Sequence, residues 1–382
     1  MKAKKIIQKM LPMGIIKKYK SYKYRTPSIT YNIGYTAGEQ KKILVIYVNE
    51  FLHRGEMSKF PGTSNEDCSA LVTALVNNGC RVDVARYDCK AGIRNDYDYI
   101  IGQGEAFKLA SMLNPRAKRV LFLTENPPEI SFPKEKERID YFEERHHFKL
   151  EIARSGKFFQ SQDFQNLRAC IFTGNPNAKE KLPGIDTYPI RCNGIVNPLF
   201  HPNDRNYDAA RKHFIWIGSS GAVHKGLDIL LDVFAKHPEL DLTIIGLNEQ
   251  DRRLLQGLMK SNVHNYGYIP SIKSELFAQI VSGCGFVVLP SCSEGLATSV
   301  ITGMNHGLIP LVTAETNIVA PTGEVFADFK VETVEDTIVR WSNMDVNFLS
   351  EQSKQTRDFA FITYSYDQYA KRMKEIVESI IG

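Results

Sequence analysis

Short apolar runs alternate with helical patterns along most of this chain, and the alternation occurs twice. Residues 43–48 form a continuous apolar run, which is typical of a strand buried on both faces. The pattern over 64–78 predicts a helix that Gly79 ends. Strands that alternate with helices predict doubly wound α/β domains with parallel sheets. The other predicted strands include 82–84, 99–102, 120–124, 169–173, 187–191, 214–218, 240–246, 285–290 and 308–313. Between 120–124 and 169–173 we predict a proline-rich loop over 126–133 and a charged helix over 134–152.

The chain has 382 residues, a length that accommodates two domains of ordinary size. We predict a first Rossmann-like domain over 40–203 and a second over 204–363, with the polar, proline-containing stretch 200–207 as the linker. Two such domains place the carboxyl ends of their strands, and so their ligand crevices, opposite one another across a cleft.

Composition narrows the class of protein. The chain is 43% hydrophobic and 24% charged, which is ordinary for a globular protein, and it has no apolar run long enough to span a membrane. Its seven cysteines are an odd number without CxxC spacing. This pattern predicts a reducing, cytoplasmic compartment without a disulfide framework or a zinc site.

The positive charge is concentrated in residues 1–25, which we call the leader. The leader carries nine basic residues and no acidic one, whereas the whole chain has a net charge of +5. The rest of the chain is therefore mildly acidic, which argues against nucleic-acid binding. Apolar residues recur at helical spacing in the leader, with lysines on its other faces. This pattern predicts a segment that lies on an anionic membrane surface, at the inner face of the membrane; a solvated basic tail is the alternative.

A predicted strand ends at Gly218, and small residues lead from there to Lys225 and a helix. The unpaired N–H groups and positive end of that helix, together with the Lys225 charge, suit a phosphate group. The alternative is an ordinary turn with a solvated lysine.

A second loop, 290–295, places Glu294 and a glycine between a strand and a helix. A carboxylate in this position can accept strong hydrogen bonds from a ligand's hydroxyl groups. The alternative is that Glu294 interacts only with its own helix dipole. Because both loops lie at the same edge of one predicted sheet, we favour a ligand with phosphate and hydroxyl groups, such as a nucleotide sugar.

Six motifs occur in order: a glycine loop and helix from Gly62 with GxxVxV at 79–84, NGIVNPLFHP at 193–202, HKGLD at 224–228, YGYIP at 266–270, PSCSEG at 290–295 and YSY at 364–366. Together they resemble the GT-B glycosyltransferases of family 4, which retain the anomeric configuration. The resemblance implies two domains of the kind predicted above, and a helix over 364–382 that crosses back to the first domain.

The resemblance also implies residue roles. Lys225 would neutralise the donor diphosphate, and Glu294 would bind the sugar hydroxyls. The first domain would hold the acceptor, and no metal or other cofactor would be needed. The donor-binding residues implied in this way are Gly218, Ser219, Ser220, Lys225, Tyr268, Ile269, Glu294, Gly295, Leu296 and Thr302, and those of the acceptor-side loops are Gly62, Thr63 and Asn126.

The chain departs from the family pattern at three places. Thr302 stands where the family has a second glutamate, although its hydroxyl could still bind a ribose. Ser219 and Ser220 stand where the family often has an arginine. Glu125 and Asn126 stand where a histidine commonly faces the reacting sugar, and Glu125 is our third catalytic candidate.

These observations and the resemblance predict a retaining enzyme that moves a sugar from a nucleoside diphosphate to a glycan acceptor. The leader predicts that this acceptor is lipid-linked, and the resemblance implies a role in surface polysaccharide synthesis. A catalytically weak GT-B subunit that binds a glycan or a partner is the main alternative, and a nucleotide-sugar epimerase is another. Asp96-Tyr97-Asp98 has the form of a DxD metal motif, but it precedes a strand and belongs to no acidic cluster.

Overall fold

The computed structural model describes residues 28–49, 51–54, 63–156, 159–174, 179–180, 182–269 and 271–382. The leader and Gly62 lie outside the described residues. In the described part of the chain, two α/β domains face each other, and each is built around a parallel sheet.

The first sheet contains β1 (Ile29–Ile33), β2 (Lys42–Tyr47), β3 (Arg81–Arg86), β4 (Tyr99–Gly102), β5 (Lys118–Leu123), β6 (Ala169–Phe172) and β7 (Asp186–Pro189). Its strand order is β1-β3-β2-β4-β5-β6-β7, and only β1 runs antiparallel to its neighbour. Along β2, Ile43 and Val45 belong to one core and Leu44 and Ile46 to another. The strand is thus buried on both faces, which confirms the prediction from its apolar run.

The second sheet contains β8 (His213–Ile217), β9 (Asp241–Ile245), β10 (Val263–Gly267), β11 (Phe286–Leu289), β12 (Ile309–Thr313) and β13 (Glu324–Phe326). Its order is β10-β9-β8-β11-β12-β13 with all pairs parallel. The chain reverses its direction of winding between β8 and β11. Doubly wound sheets bind ligands at such a switch point.

Helices cover both sheets. They are α1 (Phe51–Arg54), α2 (Thr63–Asn77), α3 (Gly104–Leu113), α4 (Pro128–His146), α5 (Tyr207–Ala210), α6 (Leu227–Lys236), α7 (Glu249–Leu255), α8 (Glu275–Gly283), α9 (Thr298–Asn305), α10 (Val331–Ser342), α11 (Val346–Thr363) and α12 (Tyr366–Ile381). None of these helices combines the length and apolarity needed to cross a bilayer.

The last helix returns to the first domain. Tyr369, Met373 and Ile376 of α12 are buried in the same core as Leu71 and Leu75 of α2. The resemblance implied this crossing, because the YSY motif immediately precedes α12.

Helix α4 differs from the sequence prediction, which placed a proline-rich loop over 126–133 and a charged helix over 134–152. The helix begins at Pro128 and ends at His146. Proline is tolerated at a helix start because the first N–H groups have no intrahelical partner. At the other end, His147 has a left-handed backbone with φ of 54°, which ends the helix.

One side of α4 connects the two domains, whereas other charged residues of the helix, such as Lys136 and Glu137, are exposed. Arg138 donates a hydrogen bond of 2.6 Å to the Pro290 carbonyl oxygen, and Tyr141 accepts one of 3.0 Å from the Val331 amide. Arg145 forms an ion pair with Asp228. These contacts hold α4 against the second domain, next to the switch point.

Candidate active site

The loops after β8 and β11 pack together at the switch point of the second sheet. A Cβ atom on Gly226 would lie 2.3 Å from the carbonyl oxygen of Pro290, and φ at Gly226 is +71°. Only glycine allows this close approach without strain. The packing brings Lys225 next to Glu294.

Lys225 and Glu294 form an ion pair in the crevice, with each side chain 10% exposed. Ser291 Oγ donates a hydrogen bond of 2.9 Å to the same carboxylate. Burial alone would raise the pKa of Glu294, but the charges of Lys225 and Arg154 lower it to about 2. Glu294 is therefore ionised at neutral pH and can accept hydrogen bonds from a ligand. Lys225 is not the solvated lysine of the alternative prediction.

The loop after β5 faces this pair from the first domain. Asn126 Nδ2 donates to the Ser293 hydroxyl at 2.8 Å and to the Glu294 carbonyl oxygen at 3.0 Å. The Glu125 carboxylate accepts a 2.9 Å hydrogen bond from Arg154. Burial raises the pKa of Glu125, the Arg154 charge opposes this shift, and Glu294 adds to it. Negatively charged side chains therefore lie next to positively charged ones across the cleft.

The two domains approach each other closely at Gly295. A Cβ atom on Gly295 would lie 2.1 Å from the Thr124 carbonyl oxygen, and one on Gly174 would lie 1.8 Å from the Gly295 carbonyl oxygen. The cavity beside this contact has a volume of about 10 Å³, and Glu125, Asn126, Ser131, Arg154, Ser155, His224, Ser293 and Glu294 line it. A volume of this size admits the centre of about one water molecule. Entry of a sugar therefore requires the domains to open.

Sequence analysis assigned no role to His224 or Glu135, which meet at the cleft. His224 Nε2 donates 2.6 Å to the Ser293 carbonyl oxygen, and Nδ1 faces the Glu135 carboxylate at 3.6 Å. Burial alone would lower the pKa of His224, but the neighbouring Cys292 and Glu135 raise it to about 9. No spacing in the sequence signals this pair, because its members lie on different domains.

We expect the His224–Glu135 pair to stabilise the fold in a pH-dependent way. The folded pKa of about 9 lies above the ordinary histidine value of 6.5. The contribution is therefore complete below pH 6.5 and is lost as the pH rises through 9. Replacing His224 by Gln, which keeps a side-chain donor, should lower the free energy of unfolding at pH 6 by about 3 kcal/mol more than at pH 9.5. Urea unfolding at both pH values measures this difference.

The exposed His201 provides the matched control. His201→Gln should leave the free energy of unfolding unchanged at both pH values. A loss for His224→Gln that is equal at pH 6 and pH 9.5 would show that this histidine carries no charge in the folded protein.

Thr302 is not presented to the cleft. Its hydroxyl donates 2.9 Å to the Thr298 carbonyl oxygen and accepts 3.2 Å from the Ile195 amide, and only 2% of the residue is exposed. The side chain thus links α9 to the first domain. This position does not support the prediction that Thr302 binds a ribose.

The other predicted donor residues follow the carboxyl edge of the second sheet. Gly218 directly follows β8, and a Cβ atom there would lie 2.2 Å from the Trp216 ring. Ser219 and Ser220 are exposed in the following loop. Tyr268 is 70% exposed and Ile269 is buried, both after β10, which lies two strands away from β8. The structure therefore spreads these residues along one edge, and their donor contacts stay predictions.

Two remaining candidates lie away from the ion pair. Leu296 lines a separate cavity of about 800 Å³ together with Arg191 and the start of α12. Thr63 begins α2 and is 8% exposed.

The DxD-like segment is part of a strand entry. Asp98 accepts a 2.7 Å hydrogen bond from the Lys42 amide, and Asp96 pairs with the Lys42 ammonium at 2.5 Å. Within the described ranges, no group of three or more His, Cys, Asp or Glu side chains could hold a metal ion.

One family model matches the second domain. Residues 211–342, which contain both loops of the switch point, match the family model described as glycosyl transferases group 1. No curated protein matches the sequence.

Solved structures are similar over most of the chain. HepE from Anabaena, in complex with UDP and glucose, shares 15% identity and a TM-score of 0.58, covering 89% of this chain and 100% of HepE. Sucrose-phosphate synthase from Thermosynechococcus elongatus shares 16% identity and a TM-score of 0.64, with 90% and 99% covered. WaaG, a glycosyltransferase involved in lipopolysaccharide biosynthesis, shares 13% identity and a TM-score of 0.55, with 88% and 99% covered. The chain therefore has the GT-B fold, and its second domain carries a segment similar to the group 1 glycosyl transferases.

Proposed function

We propose that the protein is a retaining glycosyltransferase of family 4 that moves a sugar from a nucleoside diphosphate to a glycan acceptor in surface polysaccharide synthesis. The observation that carries the proposal is the buried Lys225–Glu294 pair at the switch point of a GT-B fold. It combines a cation suited to phosphate with an ionised carboxylate suited to sugar hydroxyls. The neighbour HepE is described in complexes with UDP and with UDP-glucose, which supports a nucleotide-sugar donor.

The ion pair gives each partner a separate task when the donor binds. Phosphate oxygens would bind the Lys225 ammonium, which also offsets the negative charge that develops on the leaving diphosphate. Glu294 would then accept hydrogen bonds from the sugar. Because Glu294 is held by Ser291 and its loop by Asn126, it needs little rearrangement to do so.

In the reaction, the bond between the anomeric carbon and the diphosphate breaks, and a bond to an acceptor hydroxyl oxygen forms on the same face of the sugar. The acceptor hydroxyl passes its proton to an oxygen of the departing diphosphate. Glu125 faces the cleft from the acceptor domain, and we propose that it takes the place of the family's histidine beside the reacting sugar. The contact between Arg154 and Glu125 keeps that carboxylate next to the donor loops.

The test of the proposal is a thermal-stabilisation screen with nucleoside diphosphates and their sugars, followed by transfer assays. A ligand at 100 times its dissociation constant adds about 2.7 kcal/mol of stability. If no member of the panel stabilises the protein, the scaffold alternative is favoured. The enclosure of Thr302 is the observation that favours this alternative, because it removes one expected ribose contact.

We expect transfer to continue in EDTA. Lys225 and the amino end of α6 carry the charge compensation that a cation would otherwise supply. The measurement is the transfer rate after exhaustive chelation and after adding back Mg²⁺ or Mn²⁺. Loss of activity on chelation, with recovery on adding either ion, would contradict the proposed role of Lys225.

We further propose that the leader binds the anionic inner face of the membrane, where it would meet a lipid-linked acceptor. Each lysine near an anionic surface contributes on the order of 1 kcal/mol. Full-length protein should sediment with vesicles containing phosphatidylglycerol at low salt and should be released as salt screens the charges. Deleting residues 2–25 should abolish sedimentation and preserve nucleotide binding. Absence of sedimentation by the full-length protein would contradict the membrane role.

A further inference from the structure

The loop after β8 lacks one positively charged side chain that the resembled family often has there. Ser219 and Ser220 occupy the positions of that arginine, and both are exposed. Lys225 would contact a diphosphate above this loop from one side, while His224, the loop's other cation, faces the Ser293 carbonyl oxygen and the Glu135 carboxylate. Another cation must approach from outside the loop if the diphosphate is to be flanked on both sides.

Arg154 of the first domain lies across this loop. Its Nη1 donates a hydrogen bond of 3.1 Å to the Ser220 carbonyl oxygen. A Cβ atom on Gly221 would lie 2.5 Å from Arg154 Cδ, so the arginine stem packs directly on the glycine. The guanidinium therefore occupies the space beside Ser219 and Ser220, although it belongs to the other domain.

The backbone of Arg154 is held in place by one carboxylate. Glu135 of α4 accepts hydrogen bonds from the amides of Ala153 at 3.0 Å, Arg154 at 3.1 Å and Ser155 at 2.7 Å. Glu135 is 2% exposed and also faces His224 of the second domain at 3.6 Å. Because the Glu135 carboxylate is buried and binds three consecutive amides, it fixes the backbone position from which the Arg154 side chain extends.

The surroundings of the guanidinium indicate which phosphate it would meet. It donates to Glu125 at 2.9 Å and lines the same small cavity as Glu294. Burial alone would lower the pKa of Arg154, but the charges of Glu294 and Glu125 raise it. Glu294 is the carboxylate proposed to bind the sugar, so the adjacent phosphate is the one that carries the sugar. A guanidinium has five donors, and a phosphate can use two of them while Glu125 keeps its own.

We propose that Arg154 binds the sugar-bearing phosphate of the donor and so supplies, from the acceptor domain, the arginine that the donor loop lacks. This inference rests on the proposed function. It has a consequence for domain closure: a donor bound to the second domain would attract the first domain through Arg154. A ligand that interacts better with the closed arrangement shifts the population towards it.

The test compares nucleoside diphosphates with monophosphates by calorimetry on Arg154→Ala and Arg154→Lys. The probes are the uridine, guanosine, adenosine, cytidine and thymidine nucleotides, and the comparison uses those that bind the wild-type protein. Arg154→Ala should lower diphosphate affinity by about 10- to 100-fold, the range for hydrogen bonds to a charged group, and monophosphate affinity by less than about threefold. Arg154→Lys should lie between Arg154→Ala and the wild type.

A rescue variant separates phosphate binding from a structural role. Ser219→Arg added to Arg154→Ala restores the family's arginine on the donor loop and should recover most of the lost diphosphate affinity. The matched control is Lys134→Ala, which removes another ion pair between the domains, to Glu315 at 2.6 Å. Lys134→Ala should leave the affinities of both nucleotide classes unchanged.

The outcomes distinguish the two proposals. Wild-type protein that binds none of the diphosphates overturns the proposed function. Wild-type protein that binds and transfers, with unchanged diphosphate affinity in Arg154→Ala, overturns the inference alone. Equal losses for mono- and diphosphates, without rescue by Ser219→Arg, also overturn it. If Arg154→Ala does not fold, Arg154→Lys and its Ser219→Arg double variant decide by the same comparison.

Discussion

Lys225→Ala is expected to lower both nucleoside diphosphate affinity and the rate of sugar transfer by roughly 30- to several-thousand-fold. Removing one partner of a buried charge pair typically costs about 2–5 kcal/mol, and each 1.4 kcal/mol is a factor of ten. Both quantities should fall because the diphosphate is present in the bound state and in the transition state. Calorimetry with the diphosphate and a transfer assay measure the two effects.

Glu294→Gln should separate binding from transfer. The carboxylate is proposed to contact the sugar, so affinity for the bare nucleoside diphosphate should be kept while most transfer is lost. The variant also removes the ion pair with Lys225, and the freed ammonium could bind a diphosphate somewhat more tightly. Wild-type transfer in both Lys225→Ala and Glu294→Gln would contradict the site assignment and leave the fold untouched.

Lys236→Ala provides a matched control for these variants. Lys236 forms an ion pair with Glu335 at 2.5 Å in the same domain, but its side chain is 52% exposed. Exposed pairs contribute about 0–1 kcal/mol, and this one lies away from the switch point. Both affinity and transfer should stay at the wild-type level.

The sequence predicted the parts of the fold that depend on local pattern. The central strands of both sheets are apolar runs, and Gly218, Lys225 and Glu294 lie at strand ends whose order along the chain indicates a shared edge. The prediction of a common crevice for Lys225 and Glu294 followed from that order. In the structure the two side chains form an ion pair at this edge.

Features that depend on packing between distant segments were not predictable in the same way. Strand β1 is short and half exposed, so it lacks the buried apolar pattern. Helix α4 was predicted to start late because its prolines suggested a loop. Arg154 and Glu135 reach the site because α4 docks on the second domain, and no local sequence pattern predicts that docking.

Thr302 shows the limit of transferring a role by position. A glutamate there would be long enough to extend beyond the helix surface, whereas the short hydroxyl is satisfied locally by Thr298 and Ile195. The motif assigns a position to Thr302, but the chemistry of that position depends on the side chain that occupies it. The structure shows which groups the Thr302 hydroxyl contacts, whereas the motif gives only its position.

Gly295→Ala should reduce transfer at least about 100-fold, the size of effect that a displacement of about 1 Å in reacting groups can cause. The added Cβ atom would lie 2.1 Å from the Thr124 carbonyl oxygen and 3.1 Å from Thr173 Oγ1. The first of these neighbours is a backbone atom, which cannot rotate away, so the domains must stay further apart. Groups contributed by the first domain, including Glu125 and Arg154, would then be displaced from the donor.

The same substitution should affect binding of the bare nucleotide much less than it affects transfer. The new methyl group points to Thr124 of the first domain, while Lys225 and its loop remain unchanged. Any fall in nucleoside diphosphate affinity beyond threefold should come from the lost contact with Arg154. Gly295→Ala should therefore lower this affinity no further than Arg154→Ala does, about 10- to 100-fold. In the Arg154→Ala background, Gly295→Ala should therefore leave affinity unchanged and still lower transfer.

Gly283→Ala is the control, because a Cβ atom there meets nothing within 4 Å. Wild-type transfer by Gly295→Ala would mean that the close contact of the two domains is not part of the working cycle.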